Sequence, residues 1–261
     1  MQILWNTLKT GLKSYCEKNA FKKVILGLSG GLDSAVCAIL AADALGGQNV
    51  TALMMKTRFT SDLSLQIARQ ISELNKLNYQ EIDIDPFFEH EVLLLKDAFH
   101  EDIKGIVQEN LQARIRGQIL MAFSNQFGGL VLACGNKSEI LTGYCTLYGD
   151  TCGGLAPIGN VYKTTVFELA KWRNTLGKVL PDEVITRAPS AELAFNQKDE
   201  NTLPAYSVLD AILKELYDHQ KSIEETSEKG FNKLTVERVQ NLIIRSAFKR
   251  KQMAEMISII K

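Results

Sequence analysis

The feature of this sequence that most constrains its fold is a pair of glycines, Gly30 and Gly31, between two very different segments. Residues 23–29 form a short apolar run typical of a buried strand, and residues 34–44 are rich in alanine and typical of a helix. Two glycines allow the backbone to turn sharply where a strand leads directly into a helix. The sequence therefore predicts a strand–turn–helix unit, which is the beginning of an α/β fold.

Strand-like and helix-like segments continue to alternate through the first half of the chain. Further strands are predicted at residues 49–55, 79–85 and 130–134, and helices at 61–74, at 103–123 and near Asn136. Strands that alternate with crossover helices form a parallel sheet with helices on both faces. We therefore predict a doubly wound, three-layer Rossmann-like fold. With 261 residues, 46% of them apolar, the chain is large enough for one continuous domain over residues 1–261.

The remainder of the chain is predicted to be mainly helical. The 103–123 helix is indicated by apolar residues at four-residue spacing, namely Ile103, Val107, Leu111, Ile115 and Ile119. Further helices are predicted at residues 207–218 and 236–260. Residues 191–206 are polar and include Pro204, so we interpret them as a long loop and hypothesise that it serves as a lid.

Charge and composition exclude several classes of function. Lys and Arg total 30 and Asp and Glu total 30, so the chain lacks the positive surplus typical of nucleic-acid binders. No apolar run approaches the roughly 18–20 residues that span a bilayer, and the N-terminus lacks the apolar core of a signal peptide. The five cysteines contain no Cys-x-x-Cys pair, so we expect reduced thiols in a cytoplasmic protein. Because zinc-ligand spacing is also missing, any metal is expected to be a hard cation.

The segment Ser29-Gly-Gly-Leu-Asp-Ser34 has the features of a phosphate-binding loop. A helix start offers unpaired N–H groups and the positive end of the helix dipole, and the two serines add hydroxyl donors. Asp33 alone would repel a phosphate, but it suits a magnesium ion that bridges it to phosphate oxygens. An ordinary glycine turn capped by Ser29 or Asp33 is the alternative. The loop matches neither a Walker motif nor the Gly-x-Gly-x-x-Gly fingerprint.

Glu139 is a second candidate metal ligand. It is predicted to fall in the first turn of the helix that follows the fourth strand, just as Asp33 begins the helix after the first strand. Because the carboxyl ends of parallel strands meet at one edge of the sheet, where open α/β folds bind ligands, the two carboxylates should converge there and hold Mg²⁺. Charge compensation at a helix N-terminus is the simpler explanation of Glu139.

The loop at residues 29–34 resembles the pyrophosphate loop of the N-type ATP pyrophosphatases, which have an adenine nucleotide alpha hydrolase-like fold. Within that superfamily the whole chain resembles the ammonia-dependent NAD synthetases, through Gly135-Asn-Lys-Ser-Glu139, Tyr148-Gly-Asp150, Pro157, Lys163, Pro189-Ser-Ala-Glu-Leu193 and Gln197-x-Asp199-Glu200. The resemblance implies that ATP is cleaved between its α and β phosphates. AMP is then transferred to the carboxylate of nicotinic acid adenine dinucleotide (deamido-NAD), and ammonia displaces it to give NAD.

The resemblance also implies roles for individual residues. Those expected to bind ATP are Gly27, Leu28, Ser29, Gly30, Gly31, Leu32, Asp33, Ser34, Met54, Cys134, Lys163 and Ser190. Those expected to bind deamido-NAD are Arg114, Tyr144, Asp150, Phe248 and Lys249. Asp33, Lys163 and Asp150 are expected to be catalytic, with Asp33 and Glu139 as Mg²⁺ ligands. The residues alone leave open an exposed lysine at position 163, a solvated helix face at Arg114 and a turn-stabilising aspartate at position 150.

The sequence departs from the family pattern at four positions. The family usually has threonine, lysine, aspartate and histidine where this chain has Cys134, Leu147, Gly154 and Phe248. We therefore expect other groups to replace part of the contacts to the dinucleotide. The resemblance further implies a homodimer. A length of 261 residues leaves no room for a glutaminase domain, so we expect free ammonia, or ammonia from a separate glutaminase, as the nitrogen donor.

Two other functions remain open at the level of sequence. A tRNA-modifying relative would adenylate a base, but the neutral charge and the missing Cys-x-x-Cys pair argue against it. A module that only senses a nucleotide would not need Glu139, Lys163 and Asp150 in addition to the loop.

Overall fold

The computed structural model describes residues 1–187, 189, 192–194 and 202–259. Within these residues the strands are β1 (Val24–Gly27), β2 (Val50–Lys56), β3 (Asn78–Asp83), β4 (Leu130–Val131), β5 (Leu155–Ala156) and β6 (Glu255–Met256). The α-helices are α1 (Gln2–Lys18), α2 (Leu32–Leu45), α3 (Asp62–Asn75), α4 (Asp85–Phe99), α5 (Ile106–Phe127), α6 (Lys137–Thr142), α7 (Lys163–Thr175), α8 (Glu183–Thr186), α9 (Tyr206–Leu213), α10 (Ile223–Ser227), α11 (Lys233–Arg245) and α12 (Ala247–Arg250). A 3₁₀ turn at Gly47–Asn49 precedes β2, and a π-helical turn at Lys214–Asp218 continues α9.

The sheet is built outward from β1 in both directions. Strands β3, β2, β1 and β4 are parallel and lie side by side in that order. Val24 of β1 pairs with Val50 of β2 on one side and with Leu130 of β4 on the other. A bridge between Leu132 and Leu155 links β4 to the parallel pair of β5 and β6. The crevice at the carboxyl end of β1 is the place where folds of this kind bind ligands.

Helices cover both faces of the sheet. Val24 and Leu26 of β1 belong to a core that includes residues of α1 and α2, whereas Ile25 belongs to a second core with residues of α4 and α5. All three side chains are buried. This alternation along a strand that is apolar throughout is what a sheet covered on both faces requires. The predicted doubly wound, three-layer fold is confirmed.

A third apolar cluster lies in the C-terminal part of the chain. Leu209 of α9 and Val239 of α11 are fully buried in it, and they pack with Leu141 of α6 and with Tyr162 just before α7. The cluster holds α9 against the start of α7, where Lys163 lies.

The prediction of one helix over residues 236–260 is wrong. After α11 and α12 the chain forms β6 beside β5. Ile257 is 8% exposed and packs on Gly11 of α1, where an added Cβ atom would lie 2.5 Å from its Cγ2 atom. Its carbonyl oxygen also accepts a hydrogen bond from Asn160 at 2.9 Å. The apolar residues near position 257 thus complete a sheet edge and the main core, a long-range outcome that local periodicity does not report.

Two other sequence predictions need adjustment. The long helix α5 begins at Ile106, after the buried Ile103, and residues 85–99 form the separate helix α4 with Pro86 in its first turn. Of the predicted loop at 191–206, residues 191 and 195–201 lie outside the described residues, so the lid hypothesis stays a prediction. Among the helices that the structure describes, none combines the length and apolarity needed to cross a membrane.

Candidate active site

The loop after β1 is shaped by Gly30. Its φ angle is +79°, and a Cβ atom there would lie 2.5 Å from the carbonyl oxygen of Ser64 in α3. The position therefore requires both the backbone freedom of glycine and its lack of a side chain. Gly31 is the N-cap residue of α2 and has no side chain with which to cap it. The first-turn N–H groups of α2 have no intrahelical partner and are available to an anion.

Two serines stabilise this loop from within. The Ser34 hydroxyl donates to the carbonyl oxygen of Gly31 at 3.1 Å and accepts from the N–H of Ser29 at 3.2 Å. The hydroxyl oxygens of Ser29 and Ser34 lie 3.1 Å apart, and Ser34 is buried. In this structure the Ser34 hydroxyl donates within the loop and helps to hold the turn in shape. Its contact with a phosphate stays a prediction.

Asp33 and Glu139 converge at the carboxyl edge of the sheet through Asn136. The side-chain amide of Asn136 donates to Oδ1 of Asp33 at 3.1 Å. Asn136 is also the N-cap residue of α6 and forms a capping box with Glu139, in which each side chain accepts a backbone N–H of the other residue at 3.1 Å. The loop after β1 and the helix after β4 are thereby held in register.

Lys163 lies between the two carboxylates. Its ammonium forms an ion pair with Asp33, and its Nζ atom is 3.8 Å from Oε1 of Glu139. The side chain of Lys163 is 3% exposed and those of the two acids are 17% exposed, so the charges interact in a largely desolvated setting. A solvent-exposed lysine, the alternative left open by the sequence, is not what the structure contains.

The acidic pair has the donor chemistry that Mg²⁺ requires. Mg²⁺ prefers oxygen ligands and usually takes one or two carboxylates from the protein, with phosphates and water completing its shell. In the described part of the chain, no group of three or more His, Cys, Asp or Glu residues is arranged to hold a metal. Asp33 and Glu139 therefore fit a metal that is shared with phosphate oxygens rather than one held by the protein alone.

Asp150 lies in a turn that packs tightly on α5. A Cβ atom at Gly149 would lie 2.8 Å from that of Ala113, so the turn approaches the helix backbone closely. The N–H of Thr146 donates to Oδ1 of Asp150 at 2.6 Å. Asp150 is exposed at the surface, but protein atoms crowd its carboxylate and desolvate it, and this raises its pKa to about 6 despite the opposing effects of the Thr146 hydrogen bond and the Lys249 charge.

The other residues expected to bind deamido-NAD surround this turn. Arg114 is exposed on α5, and its Nε atom donates to the carbonyl oxygen of Leu147 at 3.3 Å. Lys249 donates to two carbonyl oxygens that follow α6, at 2.6 and 2.8 Å. Phe248 is 58% exposed, and Tyr144 is half-buried against the third apolar cluster. Their role in binding the dinucleotide stays a prediction.

Some residues expected to bind ATP belong to the core instead of the crevice. Leu28, Leu32 and Met54 are buried in the main apolar core, so their side chains are not available to a nucleotide, and only their backbone groups are. Their expected role in binding ATP stays a prediction, limited to their backbone groups. Cys134 is half-buried just beyond β4. Ser190 lies outside the described residues.

Four residues that were not predicted from the sequence support the candidate site, namely Asn136, Ser138, Tyr206 and Asp210. Asn136 followed three residues later by Glu139 is the signal of a capping box, so its structural role was open to prediction. Asp210 gave no local signal. It accepts the backbone N–H of Thr164, 46 residues earlier in the chain, and only the packing of α9 on α7 brings the two together.

The chain is similar to known proteins over almost its whole length. A family model described as NAD synthase matches residues 4–253. A glutamine-dependent NAD(+) synthetase from Xanthomonas campestris pv. campestris is 49% identical over 254 residues, which are 97% of this chain and 46% of that protein. The chain spans about half the length of the curated relatives that it matches.

Two solved structures match over nearly their full length. The NH3-dependent NAD synthetase from Campylobacter jejuni, in complex with the nitrate ion, is 27% identical with a TM-score of 0.78, and the match covers 100% of this chain and 98% of that one. The NMN synthetase from Francisella tularensis is 28% identical with a TM-score of 0.82, at the same coverage.

Proposed function

The chain belongs to the NAD synthase family, and from this premise we propose that it catalyses the ATP-dependent amidation of deamido-NAD to NAD. The observation that carries the proposal is the meeting of an anion-binding loop, two carboxylates and a buried lysine at the carboxyl end of β1. This is where the phosphates of ATP would lie.

The first step is the transfer of AMP. A carboxylate oxygen of deamido-NAD attacks the α-phosphorus, the bond from that phosphorus to the bridging oxygen of the β-phosphate breaks, and pyrophosphate leaves. Negative charge grows on the phosphate oxygens as the bond breaks. The N–H groups at the start of α2 and the ammonium of Lys163 are fixed in place to stabilise this charge.

The Mg²⁺ ion expected with ATP would be held by Asp33 and Glu139 together with phosphate oxygens. When bound, it would neutralise charge on the triphosphate. Asn136 fixes the two acids relative to each other, since its side chain bonds to Asp33 and caps the helix that carries Glu139.

The second step is the attack of ammonia on the activated carbonyl carbon. The C–N bond forms, the bond from carbon to the AMP oxygen breaks, and one proton is lost from nitrogen. We assign the binding of the ammonium ion and the acceptance of its proton to Asp150. With a pKa of about 6, its carboxylate is mostly ionised at neutral pH and is still a stronger base than an ordinary aspartate.

We further propose that residues 1–261, as one NAD synthase domain, take ammonia itself as the nitrogen donor, supplied free or by a separate glutaminase. Support comes from the match to an NH3-dependent enzyme over 98% of its length. The curated relatives are about twice as long as the region that matches this chain. Because they are named as glutamine-dependent, glutamine is the alternative nitrogen donor. Initial rates with ammonium and with glutamine decide the matter. Equal efficiency with glutamine would contradict this part of the proposal.

Nicotinic acid mononucleotide is a second candidate substrate. This mononucleotide is considered because the chain matches an NMN synthetase. The glycine at position 154 also favours the mononucleotide over the dinucleotide. The family usually has an aspartate at this position. A Cβ atom on Gly154 would lie 2.5 Å from Cδ1 of Leu130, and the carbonyl oxygen of Gly154 accepts a hydrogen bond from the Tyr15 hydroxyl at 2.8 Å. An aspartate at position 154 would have to displace the Leu130 side chain, and with glycine this chain lacks that polar contact to a dinucleotide. The kcat/KM values for the two carboxylates distinguish the candidates.

We also propose a homodimer formed through α4 and α5. These helices expose large apolar side chains, namely Leu93, Leu94, Phe99, Ile106 and Phe127, each at least 52% exposed. Several large exposed apolar side chains on two neighbouring helices are a common mark of a protein interface. Light scattering gives the molar mass directly, and introducing a charge with Leu94→Glu should shift a dimer to the monomer. A parent protein that is already monomeric would contradict the proposal.

The main test is a product analysis with ATP, Mg²⁺, ammonium and deamido-NAD. We expect AMP, pyrophosphate and NAD in equal amounts, with pyrophosphate release dependent on the nicotinate substrate. Release that requires tRNA would identify a base-modifying enzyme instead, and no release with any acceptor would leave a nucleotide-sensing module.

A further inference from the structure

Helix α9 contacts the first turn of α7 next to Lys163 and also the side chain of Lys163. At the main-chain end, Asp210 is 1% exposed and its Oδ2 atom accepts the N–H of Thr164 at 2.8 Å. Its Oδ1 atom accepts the hydroxyl of Ser138 at 2.5 Å, and the same hydroxyl oxygen accepts the N–H of Lys163 at 3.0 Å. The two N–H groups that begin α7 are thus bound by a buried carboxylate and its hydroxyl partner.

At the side-chain end, the ammonium of Lys163 lies over an aromatic ring. Its Nζ atom is 5.3 Å from the centroid of the Tyr206 ring, within the range of a cation–π interaction. Tyr206 is 8% exposed and precedes Asp210 by four residues on α9, so the two side chains lie on the same face of that helix. One turn of α9 therefore binds the N–H of Thr164, the residue after Lys163, with a carboxylate and contacts the Lys163 ammonium with a ring.

Asp210 supplies a hydrogen-bond acceptor at the start of α7 that the N-cap residue of this helix does not provide. The N-cap residue is Tyr162, whose hydroxyl donates to Asp218 at 3.0 Å instead of capping the helix. The first-turn N–H groups of a helix need outside acceptors, and a negative charge is favoured at this end of the helix dipole. A buried carboxylate from α9 meets both needs. Leu209 and Leu213 keep α9 in place through the third apolar cluster.

The position of the Lys163 ammonium depends on this support because a lysine side chain is long and flexible. Its stem must leave the backbone from a fixed point for the ammonium to meet Asp33 and Glu139. Small displacements of a charge-stabilising group are costly in rate. The support comes from a helix that itself contributes neither an anion-binding loop nor a carboxylate to the acidic pair.

We propose that Asp210 and Tyr206 are positioning residues for Lys163 in the adenylation step. The inference rests on the proposed function, since it assigns Lys163 to the charge that develops on ATP. Both residues act through Lys163 and not on the substrate. Their loss should lower the rate of pyrophosphate release while the affinity for the nicotinate substrate is retained.

The test compares Asp210→Asn with Asp43→Asn. Asp43 is a matched control because it is a half-buried aspartate that also binds α7, through Arg173 at 2.8 and 2.9 Å, but ten residues or about 15 Å from Lys163. We expect Asp210→Asn to lower the single-turnover rate of pyrophosphate release by about ten-fold or more. Binding of deamido-NAD measured by calorimetry should stay within about two-fold, and Asp43→Asn should keep the parent rate within about two-fold.

A second pair of variants keeps the inference testable if Asp210→Asn does not fold. Tyr206→Phe retains the ring and should keep the rate, whereas Tyr206→Leu removes the ring and should lower it. Equal rates for Tyr206→Phe and Tyr206→Leu would overturn the role of Tyr206. A parent-like rate for Asp210→Asn, or an equal loss in Asp43→Asn, would overturn the role of Asp210. If the parent protein itself releases no pyrophosphate, the proposed function fails, which is a separate result.

Discussion

The side-chain amide of Asn136 donates to the carboxylate of Asp33 at 3.1 Å, although 103 residues separate them. This bond joins the start of the helix after β1 to the start of the helix after β4. Strands β1 and β4 are adjacent, and the chain adds β2 and β3 on one side of β1 but β4 on the other. Asn136 is fully buried. It gives the acidic pair a fixed geometry before any ligand is present.

Asn136→Asp tests this relationship. Aspartate is as good an N-cap residue as asparagine, so α6 should stay capped. The variant replaces the amide donor to Asp33 with a carboxylate oxygen, and two like charges in contact are unfavourable. We expect ATP binding, measured by calorimetry with Mg²⁺, to weaken by about ten-fold, or about 1.4 kcal/mol. Asn232 also caps a helix with its side chain, and Asn232→Asp is the control that should bind ATP like the parent.

The acidic pair is tested by Asp33→Asn combined with Glu139→Gln. The rate of pyrophosphate release should fall by about 100-fold or more, since the variant removes both charges proposed to hold the metal with its phosphates. Glutamine can replace glutamate in a capping box, so Glu139→Gln alone should keep the melting temperature of the parent. A folded double variant with the parent rate would refute the site.

The pKa of Asp150 predicts a pH dependence. Desolvation raises this pKa to about 6, so the carboxylate becomes protonated as the pH falls through about 6. If the ionised carboxylate assists the attack of ammonia, the rate of amide formation should rise between about pH 5 and 7 with an inflection near 6. Free ammonia also increases with pH, so the rates must be compared at equal free ammonia. Asp150→Asn should be slower and should lack the inflection, and a retained inflection would assign it to another group.

Gly30→Ala tests the shape of the phosphate loop. Alanine at a φ of +79° costs about 1–2 kcal/mol in backbone strain, and its Cβ atom would contact the Ser64 backbone. The loop must shift, so ATP binding should be lost in addition to stability. Gly230 has a φ of +95° with no atom within 4 Å of its Cβ position, so Gly230→Ala should carry the strain alone. Urea unfolding and nucleotide titration separate the two effects, and unchanged ATP binding in Gly30→Ala would contradict the prediction.

The sequence allowed the prediction of features that depend on neighbouring residues. The strand, glycine turn and helix around Gly30 and Gly31 are encoded within about twenty residues, and the positions of Asp33 and Glu139 at one sheet edge follow from the direction of parallel strands. The doubly wound fold follows from the same alternation. These features need only local patterning and a general rule of chain topology.

Features that depend on distant packing were not predictable. The burial of Lys163 requires the carboxylate of Asp33, 130 residues earlier in the chain, and helix α9, which begins 43 residues after Lys163. The predicted helix at 236–260 failed because β5 offers an open edge to residues 255 and 256, and sequence periodicity contains no information about that partner. The alternation of β2 places the Met54 side chain in the core, so its expected contact with ATP, which follows from the resemblance, is open to its backbone groups only.

The contact between Ile257 and Gly11 has a consequence for how the protein is made. The surface of α1 around Gly11 is matched to a side chain that is synthesised almost 250 residues later. Until Ile257 has been synthesised, the surface of the first helix around Gly11 lacks this contact, and incompletely packed apolar surface favours association with other chains. The first helix therefore gains its full packing only after Ile257 has been synthesised.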